Sequence, residues 1–459
     1  MEDRTNQQKG KNQTRTGIYQ TMWRWHFYAG IIFAPFLIIL AFSGGVYLFK
    51  PQIESYLYKD LYFVEETKET SLSVNAQLEK VKEEFPDASV TRMSTFEEEE
   101  RSTKFSTMQD GEAISVFVDP YTGNVLGELP VEKELMTIFV KLHSELLVGG
   151  TVANRLVEMA ACWAIILLLT GLYIWWPRNR ASIWGTILPR LRSKGRVFWR
   201  DMHAVPAFWL SLGLMVLILT GLPWSGVMGE QINRVATATN TGYPAFSFSF
   251  GEKPESVTVT KDLAEEVPWA AENIPVPAST SNQYVPLTLN EVSSIAVDKQ
   301  VQKPYNISMP QGESGVFTIS TSHAKPFDNA TLHVDQYSGA VLTDVRYEDY
   351  GLMGKAITLG IALHEGKLFG LANQLLGLFL CIGLIGMMIS SLIMWRKRKP
   401  VKGSGAPGKH VDIKIKRAVT IIMLLLGLVM PLVGISIIVV LLLDKLVVTR
   451  IKKLKEWLG

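Results

Sequence analysis

The chain has 459 residues, of which 47% are hydrophobic and 19% are charged, and its formal net charge is +3. The apolar residues are concentrated in long runs between polar blocks, which indicates an integral membrane protein and excludes a soluble globular class. Both cysteines, Cys162 and Cys381, fall in apolar runs, so no disulfide framework supports the polar blocks. The sequence contains no C-x-x-C-H motif, which excludes covalent c-type haem.

Five apolar runs approach or exceed the roughly 20 residues that cross a bilayer. They predict transmembrane helices over 26–49, 153–176, 205–228, 369–395 and 418–443. The first run follows basic residues, but it is longer than the apolar part of a signal peptide, so we expect it to be retained. The predicted fold is an α-helical membrane bundle, with four core helices as a parallel tandem repeat and a fifth helix, that carries two extracytoplasmic α+β domains.

The segments between the runs differ in charge, and this predicts the orientation. Basic residues predominate in 1–25, 177–204 and 396–417. Acidic residues predominate in the two long loops, 50–152 and 229–368. The protein is therefore expected in the cell membrane as a multi-pass protein, with a cytoplasmic N-terminus and both long loops outside. The basic tail 444–459 would break this rule if the fifth run crosses, so an interfacial helix is the alternative.

Each long loop is predicted to form a small α+β unit. In the first, "LSVNAQLEKVKEEF" has helical spacing with Ser71 or Ser73 as its cap, and three segments with strand patterns follow within 88–129. In the second, "PLTLNEVSSIAVDKQV" begins the same pattern. A stretch containing Pro and Glu between 251 and 286 indicates a long, loosely ordered connection.

The second half of the chain repeats the first. His26 precedes Ser43-Gly44 by the same spacing that separates His203 from Thr220-Gly221. Residues 141–178 parallel 362–398, which aligns His143 with His364, and "VFVDPYTGNVLGEL" parallels "LHVDQYSGAVLTDV". Parallel repeats are related by an axis along the membrane normal, so matched residues lie at equal depth. His26 and His203 are then a cytoplasmic-side pair, and His143 and His364 are an outer pair.

These four histidines are either interfacial anchors or ligands. Two histidines at each depth do not complete a zinc site, which needs four ligands, whereas haem iron needs two axial ligands. Helix bundles hold haem between facing helices, and small residues near the ligands leave room for a flat ring. These small residues are Ala29, Gly30, Ala204 and Ala207. The sequence therefore predicts two b-type haems that form an electron path across the membrane.

The remaining histidines, His323, His333 and His410, are expected on solvated surfaces. Arg24 and Arg200 could contact haem propionates, although membrane-interface anchoring is the simpler interpretation. Glu158 is a candidate for proton coupling, or it forms a structural pair with Arg155. The two cysteines are interpreted as small apolar residues.

The outer "VFVDPYTGNVLG" and its preceding helix resemble the PepSY domain, and "RWHFYAGI…SG", "LHSELLVG" and "TGLYIWWPR" resemble the PepSY-associated transmembrane family. That family includes iron-regulated membrane proteins and siderophore reductases that carry two haems. The resemblance implies axial roles for His26, His143, His203 and His364, and reduction of a ferric siderophore or chelate outside. The second copy departs from the pattern, because Gln336 stands where the first has Pro120.

We therefore expect a dihaem oxidoreductase that transfers electrons outward to a ferric chelate. Its partners are the bilayer, the chelate and a separate donor, either a quinol or a soluble reductase, because no cytoplasmic segment is large enough for a nucleotide or flavin domain. The acidic outer loops favour neutral or cationic chelates, although local patches can override this average. The alternatives are a PepSY-domain protein that binds peptides or peptidases, and a metal or siderophore permease; the uncharged centres of the first four helices disfavour the permease.

Overall fold

The computed structural model describes residues 2–177, 182–242, 258–264, 266–279, 285–400, 403–407 and 413–458. Side chains are described from residue 17 onward within these ranges, except for 413–416 and 418–419. Outside the described residues lie Arg178, Arg180, His410 and, within the connection predicted over 251–286, residues 251–257, 265 and 280–284. The chain divides into two compact units. The membrane unit comprises Met1–Val46, Val140–Gln231 and Leu375–Gly459, and the sheet unit comprises Tyr47–Phe139 and Ile232–Gln374.

The described helices and strands are as follows in chain order. The helices are α1 (Glu2–Tyr47), α2 (Lys50–Leu57), α3 (Lys59–Tyr62), α4 (Val74–Glu84), α5 (Leu135–Glu145), α6 (Gly150–Trp175), α7 (Gly195–Gly221), α8 (Val227–Ala238), α9 (Thr260–Leu263), α10 (Leu289–Asp298), α11 (Leu352–His364), α12 (Leu371–Arg398), α13 (Ile413–Val429), α14 (Pro431–Leu443) and α15 (Lys452–Leu458). The strands are β1 (Ser89–Thr95), β2 (Thr103–Gln109), β3 (Glu112–Val118), β4 (Val125–Pro130), β5 (Tyr305–Ser308), β6 (Val316–Ser320), β7 (Ala330–Asp335) and β8 (Val341–Arg346).

In the described part of the chain, five helices are long and apolar enough to cross a membrane. They are Gly17–Tyr47, Gly150–Trp175, Gly195–Trp224, Leu371–Arg398 and Pro431–Val448. The first four overlap the predicted runs, but Gly17–Tyr47 and Gly195–Trp224 begin about ten residues earlier than the runs predicted over 26–49 and 205–228. Gly150 and Gly195 have φ of +81° and +65°, so the chain turns sharply where α6 and α7 begin. Helix α6 ends at Trp175 because Pro177 disfavours helical geometry in the residue before it.

The fifth run is not one helix over 418–443, as the sequence predicted, but a hairpin of α13 and α14. Met430 separates the two helices with a non-helical backbone, and Pro431 opens the second. A Cβ added at Gly434 would lie 2.8 Å from the Cα of Gly427, so the two helices touch through their backbones. Pro431 marks this break in the sequence, because proline fits the first turn of a helix and disrupts a helix interior.

Because the hairpin reverses the chain, the tail returns to the end of the bundle where the apolar span of α1 begins. The backbone carbonyl of Leu458 accepts hydrogen bonds from Tyr28 Oη at 2.5 Å and Arg24 Nη2 at 3.2 Å. The Trp457 carbonyl accepts from the Ser404 N–H at 2.6 Å. The basic tail therefore lies at the same end of the bundle as Arg24 in the basic N-terminal segment, so it no longer conflicts with the positive-inside rule.

The sheet unit contains one antiparallel sheet of eight strands, in the order β4-β3-β2-β1-β5-β6-β7-β8. The sequence predicted two separate α+β domains; instead β1 pairs with β5 and joins them, which covers an edge of each four-stranded half. Helices α4 and α10 contribute to the same hydrophobic core on one face of this sheet, with Val81 and Val292 fully buried. Ser73 caps α4 by accepting the Ala76 N–H at 3.2 Å, which confirms one of the two predicted caps.

Matching aspartate turns connect β3 to β4 and β7 to β8. Asp119 Oδ1 accepts the Tyr121 N–H at 2.8 Å, and Asp335 Oδ1 accepts the Tyr337 N–H at 3.0 Å. The residue after each aspartate differs for a structural reason. The buried Gln336 amide donates to the carbonyls of Gly312, Glu313 and Gly315, bonds that the proline at the equivalent place in the first turn could not make.

The hairpin leads to a test of topology. With Cys162 and Cys381 replaced by serine, a single cysteine at residue 453 should be labelled by an impermeant maleimide from the same membrane side as one at residue 194. Both positions belong to basic segments at that end of the bundle. A cysteine at residue 111, in the β2–β3 turn of the loop 50–152 that the charge pattern predicts outside, serves as the control for the other side. Labelling of 453 together with 111 would contradict the hairpin.

Candidate functional site

The structure brings two of the four predicted ligand histidines together in the membrane unit. His26 lies on α1 and His203 lies on α7, and both side chains are half-buried. The centroids of their imidazole rings are 6.3 Å apart, with an angle of 70° between the ring planes. Two helices that start at the same end of the bundle therefore present facing imidazoles near that end.

A contact with Thr170 orients the His26 ring. Its Nδ1 lies 3.0 Å from Thr170 Oγ1 on α6, and this hydroxyl is placed to donate to the Ile166 carbonyl at 2.6 Å. With its one proton in that bond Thr170 accepts from His26, and on this basis we assign the imidazole proton to Nδ1. Nε2 then presents a lone pair, the state that a metal ligand requires.

The partner ring is fixed in the same tautomer by a different group. His203 Nδ1 lies 2.9 Å from the backbone carbonyl of Met387 on α12, which can only accept a hydrogen bond. His203 therefore also carries its proton on Nδ1 and a lone pair on Nε2. Hydrogen bonds of this kind orient metal-binding histidines and raise their basicity.

The third predicted ligand, His143 on α5, repeats the arrangement of His26. Its Nδ1 lies 3.0 Å from Ser43 Oγ on α1, and Ser43 already donates to the Ile39 carbonyl at 2.7 Å. With the Ser43 proton in that bond, Ser43 accepts from His143, and we assign the proton of a neutral His143 to Nδ1 in the same way. In both cases a glycine follows the hydroxyl residue and gives the ring its space. A Cβ on Gly171 would lie 3.1 Å from His26 Cε1, and a Cβ on Gly44 would lie 3.2 Å from His143 Cε1.

The fourth predicted ligand, His364, is the last residue of α11 in the sheet unit. His143 belongs to the membrane unit and His364 to the sheet unit. An asparagine side chain in the following helix holds the chain beside each of them: Asn154 Nδ2 donates to the Ser144 carbonyl at 3.3 Å, and Asn373 Nδ2 donates to the Leu363 carbonyl at 3.0 Å. The sequence matched these asparagines in the repeat without assigning them this role.

The residues at the first pair fit an axially ligated haem. Two imidazole nitrogens bound at about 2 Å on opposite sides of one metal ion place the ring centroids roughly 6 Å apart. The observed centroid distance of 6.3 Å agrees with this spacing. The small residues Ala29 and Gly30, predicted to leave room for a ring, follow His26 on α1, and Ala29 is buried.

Two arginines near this pair already have protein partners. Arg24 Nη1 donates to the Pro407 carbonyl at 2.6 Å, and its guanidinium lies 5.1 Å from the Tyr28 ring centroid. Arg200 pairs with the buried Asp201 at 2.6 Å, and Arg190 pairs with the same carboxylate at 2.7 Å. Contact with haem propionates by Arg24 or Arg200 stays a prediction.

The surroundings of Glu158 favour its structural interpretation. This buried carboxylate on α6 accepts the backbone N–H groups of Val227 at 2.9 Å and Met228 at 2.7 Å. It thereby satisfies two amides at the start of α8, where the helix dipole favours negative charge. Arg155 lies 3.6 Å away and completes the pair that the sequence suggested.

The expectation of a solvated surface is wrong for His333. It lies on β7 and is fully buried, and burial lowers its pKa to about 4. The two-residue alternation of β7 directs Leu332 and Val334 to the core with α4 and α10, and directs His333 to the opposite face. The segment of residues 258–264 and 266–279 covers part of this face, since Thr260 Oγ1 lies 3.4 Å from His333 Nε2. This covering segment has no strong sequence pattern, which explains the error.

Comparison with known proteins gives one match. Residues 23–398 match the model of the family described as the PepSY-associated TM region. The matched range includes all four predicted ligand histidines. No curated protein matches the chain.

The two backbone bonds to Glu158 predict a loss of stability when its charge is removed. Glu158→Gln leaves one of the two amides without its acceptor and should lower the free energy of unfolding by about 1–3 kcal/mol, the usual cost of an unsatisfied buried group. The measurement is the thermal unfolding of the purified protein in detergent, with Asp298→Asn, an exposed change on α10, as the control. Wild-type stability in the Glu158 variant would contradict the capping role.

Proposed function

We propose that this chain, which belongs to the PepSY-associated transmembrane family, is a dihaem membrane oxidoreductase that reduces a ferric chelate outside the cell. The family match supports a multi-pass membrane protein, and five apolar helices agree with it. The cofactor, the activity and the outward direction are our inference from the histidines and the charge pattern.

One observation carries the proposal: the facing His26 and His203 rings both place Nδ1 within hydrogen-bond distance of an oxygen on a neighbouring helix. Interfacial anchors would not need this arrangement, because an anchoring imidazole donates or accepts toward water and headgroups. A ligand pair does need it, since both Nε2 lone pairs must be available to one iron. When bound, the haem would supply a one-electron redox centre.

The second haem is inferred from the tandem repeat. The matched histidine spacing and the pairing of two four-stranded halves into one sheet support such a repeat. By this symmetry His143 and His364 would hold the outer haem. The Ser43 hydroxyl already prepares His143 in the required tautomer.

The protein residues have distinct tasks in this proposal. The four histidines would bind and orient the two redox centres, and the apolar helices α1, α6, α7 and α12 would exclude water between them. Electrons would enter from a separate donor on the side of the basic loops, where charge bias predicts the cytoplasm. A ferric chelate is too large and polar for the hydrocarbon, so its reduction would take place on the side of the sheet unit.

The role of Thr170 can be tested without measuring activity. Thr170→Val leaves the His26 Nδ1–H without its acceptor, so the affinity for the haem at His26 and His203 should fall roughly tenfold to a hundredfold. Haem titration of apoprotein, followed by absorption, measures this change. The control is Ser211→Ala, which removes a hydroxyl that donates within α7 at 2.7 Å. An unchanged affinity in Thr170→Val would refute the orienting bond.

The two pairs predict how haem is lost in variants. His26→Ala and His203→Ala should each remove one and the same haem, while His143→Ala and His364→Ala should each remove the other. All four variants should abolish the transfer of electrons from an internal reductant to an external ferric chelate in oriented vesicles. If His26→Ala and His143→Ala each removed the same haem, the pairing would be wrong. Normal electron transfer in His143→Ala or His364→Ala would contradict the proposed electron path.

A further inference from the structure

Residues 449–458 form a basic segment of the membrane unit. The segment contains one acidic residue, Glu456, and four basic residues: Arg450, Lys452, Lys453 and Lys455. All four basic side chains are exposed, and within the described part of the chain none of them forms an ion pair. Asp444 and Lys445 precede the segment and offset each other in charge. The positive charge of the segment is therefore available to a partner outside the chain.

Hydrogen bonds hold the basic segment at the end of the bundle where the apolar span of α1 begins. The Leu458 carbonyl accepts from Tyr28 Oη and Arg24 Nη2 on α1. The Trp457 carbonyl accepts from the Ser404 N–H in the loop after α12. The segment thus has a defined place between α1 and this loop.

The end of α12 adds further positive charge beside the basic segment. Lys399 Nζ lies 5.6 Å from the centroid of the Trp457 ring, so the chain leaves α12 next to the segment. Arg396 and Lys397 in the last turn of α12 are exposed. Basic side chains from two separate parts of the sequence therefore meet on one surface.

Helix α15 turns its apolar side to the protein and its basic side outward. Leu454 and Leu458 are four residues apart and so lie on one face of the helix, and both are partly buried. The exposed lysines of the same helix are Lys452, Lys453 and Lys455. The packing of the leucines leaves the lysines directed away from the bundle.

Exposed apolar groups lie next to these charges. Ile451 is 48% exposed and Trp457 is 42% exposed. Helix α14, which leads into the basic segment, exposes Leu441, Leu442 and Leu443. Tryptophan and lysine beside an apolar span are typical of the boundary between hydrocarbon and headgroups. A partner that matches both the charges and the apolar groups is itself amphipathic and carries a negative headgroup.

We infer that the basic segment binds the headgroups of anionic phospholipids in the leaflet at this end of the bundle. Basic segments beside a membrane span attract such lipids through the charge of the headgroup. Free phosphate would match the lysines, but it has no apolar part to cover Ile451 and Trp457. A lipid bound here would also hold Leu458 in its hydrogen bonds to α1, beside His26. The surface includes no haem ligand, so its test is independent of the proposed function.

The test measures which lipid is enriched beside the basic segment. The full-length protein, with Cys162 and Cys381 replaced by serine and a bimane fluorophore attached through Thr449→Cys, is reconstituted into phosphatidylcholine vesicles at low ionic strength. Nitroxide-labelled phosphatidylglycerol or nitroxide-labelled phosphatidylcholine is added at the same mole fraction, and each quenches the fluorophore according to its local concentration. Phosphatidylglycerol should be enriched roughly threefold to tenfold over phosphatidylcholine, and high salt should reduce this preference.

Charge-matched variants assign the preference to the segment. A triple variant should at least halve the enrichment of phosphatidylglycerol: Lys452→Gln, Lys453→Gln and Lys455→Gln. A control removes the same charge from exposed positions of the sheet unit and should leave the enrichment unchanged: Lys59→Gln, Lys68→Gln and Lys299→Gln. Size-exclusion chromatography in detergent checks the folding of each variant, and the exposed single change Lys455→Gln provides a second comparison.

Three results would overturn this inference. Equal quenching by the two lipids would exclude a preference for anionic headgroups and favour an acidic protein as the occupant. An unchanged preference in the triple variant and in Lys455→Gln would show that these lysines do not bind the lipid. Loss of the preference on addition of millimolar inorganic phosphate would indicate a site for soluble phosphate instead.

Discussion

The hydrogen bond from a histidine Nδ1–H to a hydroxyl or carbonyl on a neighbouring helix is the interaction on which the proposed function depends. It does three things at once, since it sets the tautomer, fixes the plane of the ring and ties two helices together. Thr170 binds His26 in this way and Ser43 binds His143, and both hydroxyls also donate to a carbonyl of their own helix. A glycine beside each hydroxyl is required as well, because a side chain there would crowd the ring.

Much of the membrane architecture could be predicted because hydrophobic length and charge bias are local properties of the sequence. Four spans and the α4 cap at Ser73 follow from such signals. The pairing of His26 with His203 could be predicted from the repeated spacing, although the sequence could not show which atoms orient the two rings. The pairs Ser43-Gly44 and Thr170-Gly171 were visible in the sequence; their role required knowing which histidine packs against them.

The errors arose where packing between segments, rather than a local pattern, decides the structure. The hairpin of α13 and α14 depends on the close approach of Gly427 and Gly434, and hydropathy alone shows only one apolar run. The union of two predicted domains depends on the pairing of β1 with β5, since either strand could equally form the edge of a separate sheet. His333 was assigned to the surface because the segment that helps to bury it carries no clear pattern. The β1–β5 pairing and the burial of His333 involve residues far apart in sequence. In the hairpin, the helix break at Met430 reverses the chain only because α13 and α14 pack against each other.

The most direct test of the central claim is the haem content of the purified protein, measured from its reduced absorption spectrum and a haem extraction assay. We expect two non-covalently bound b-type haems per chain. We also expect a strongly anisotropic low-spin ferric electron paramagnetic resonance signal from the His26 and His203 site, since ring planes inclined by 70° would leave the iron dπ orbitals nearly degenerate. A colourless protein that takes up no haem on titration would contradict the proposed function.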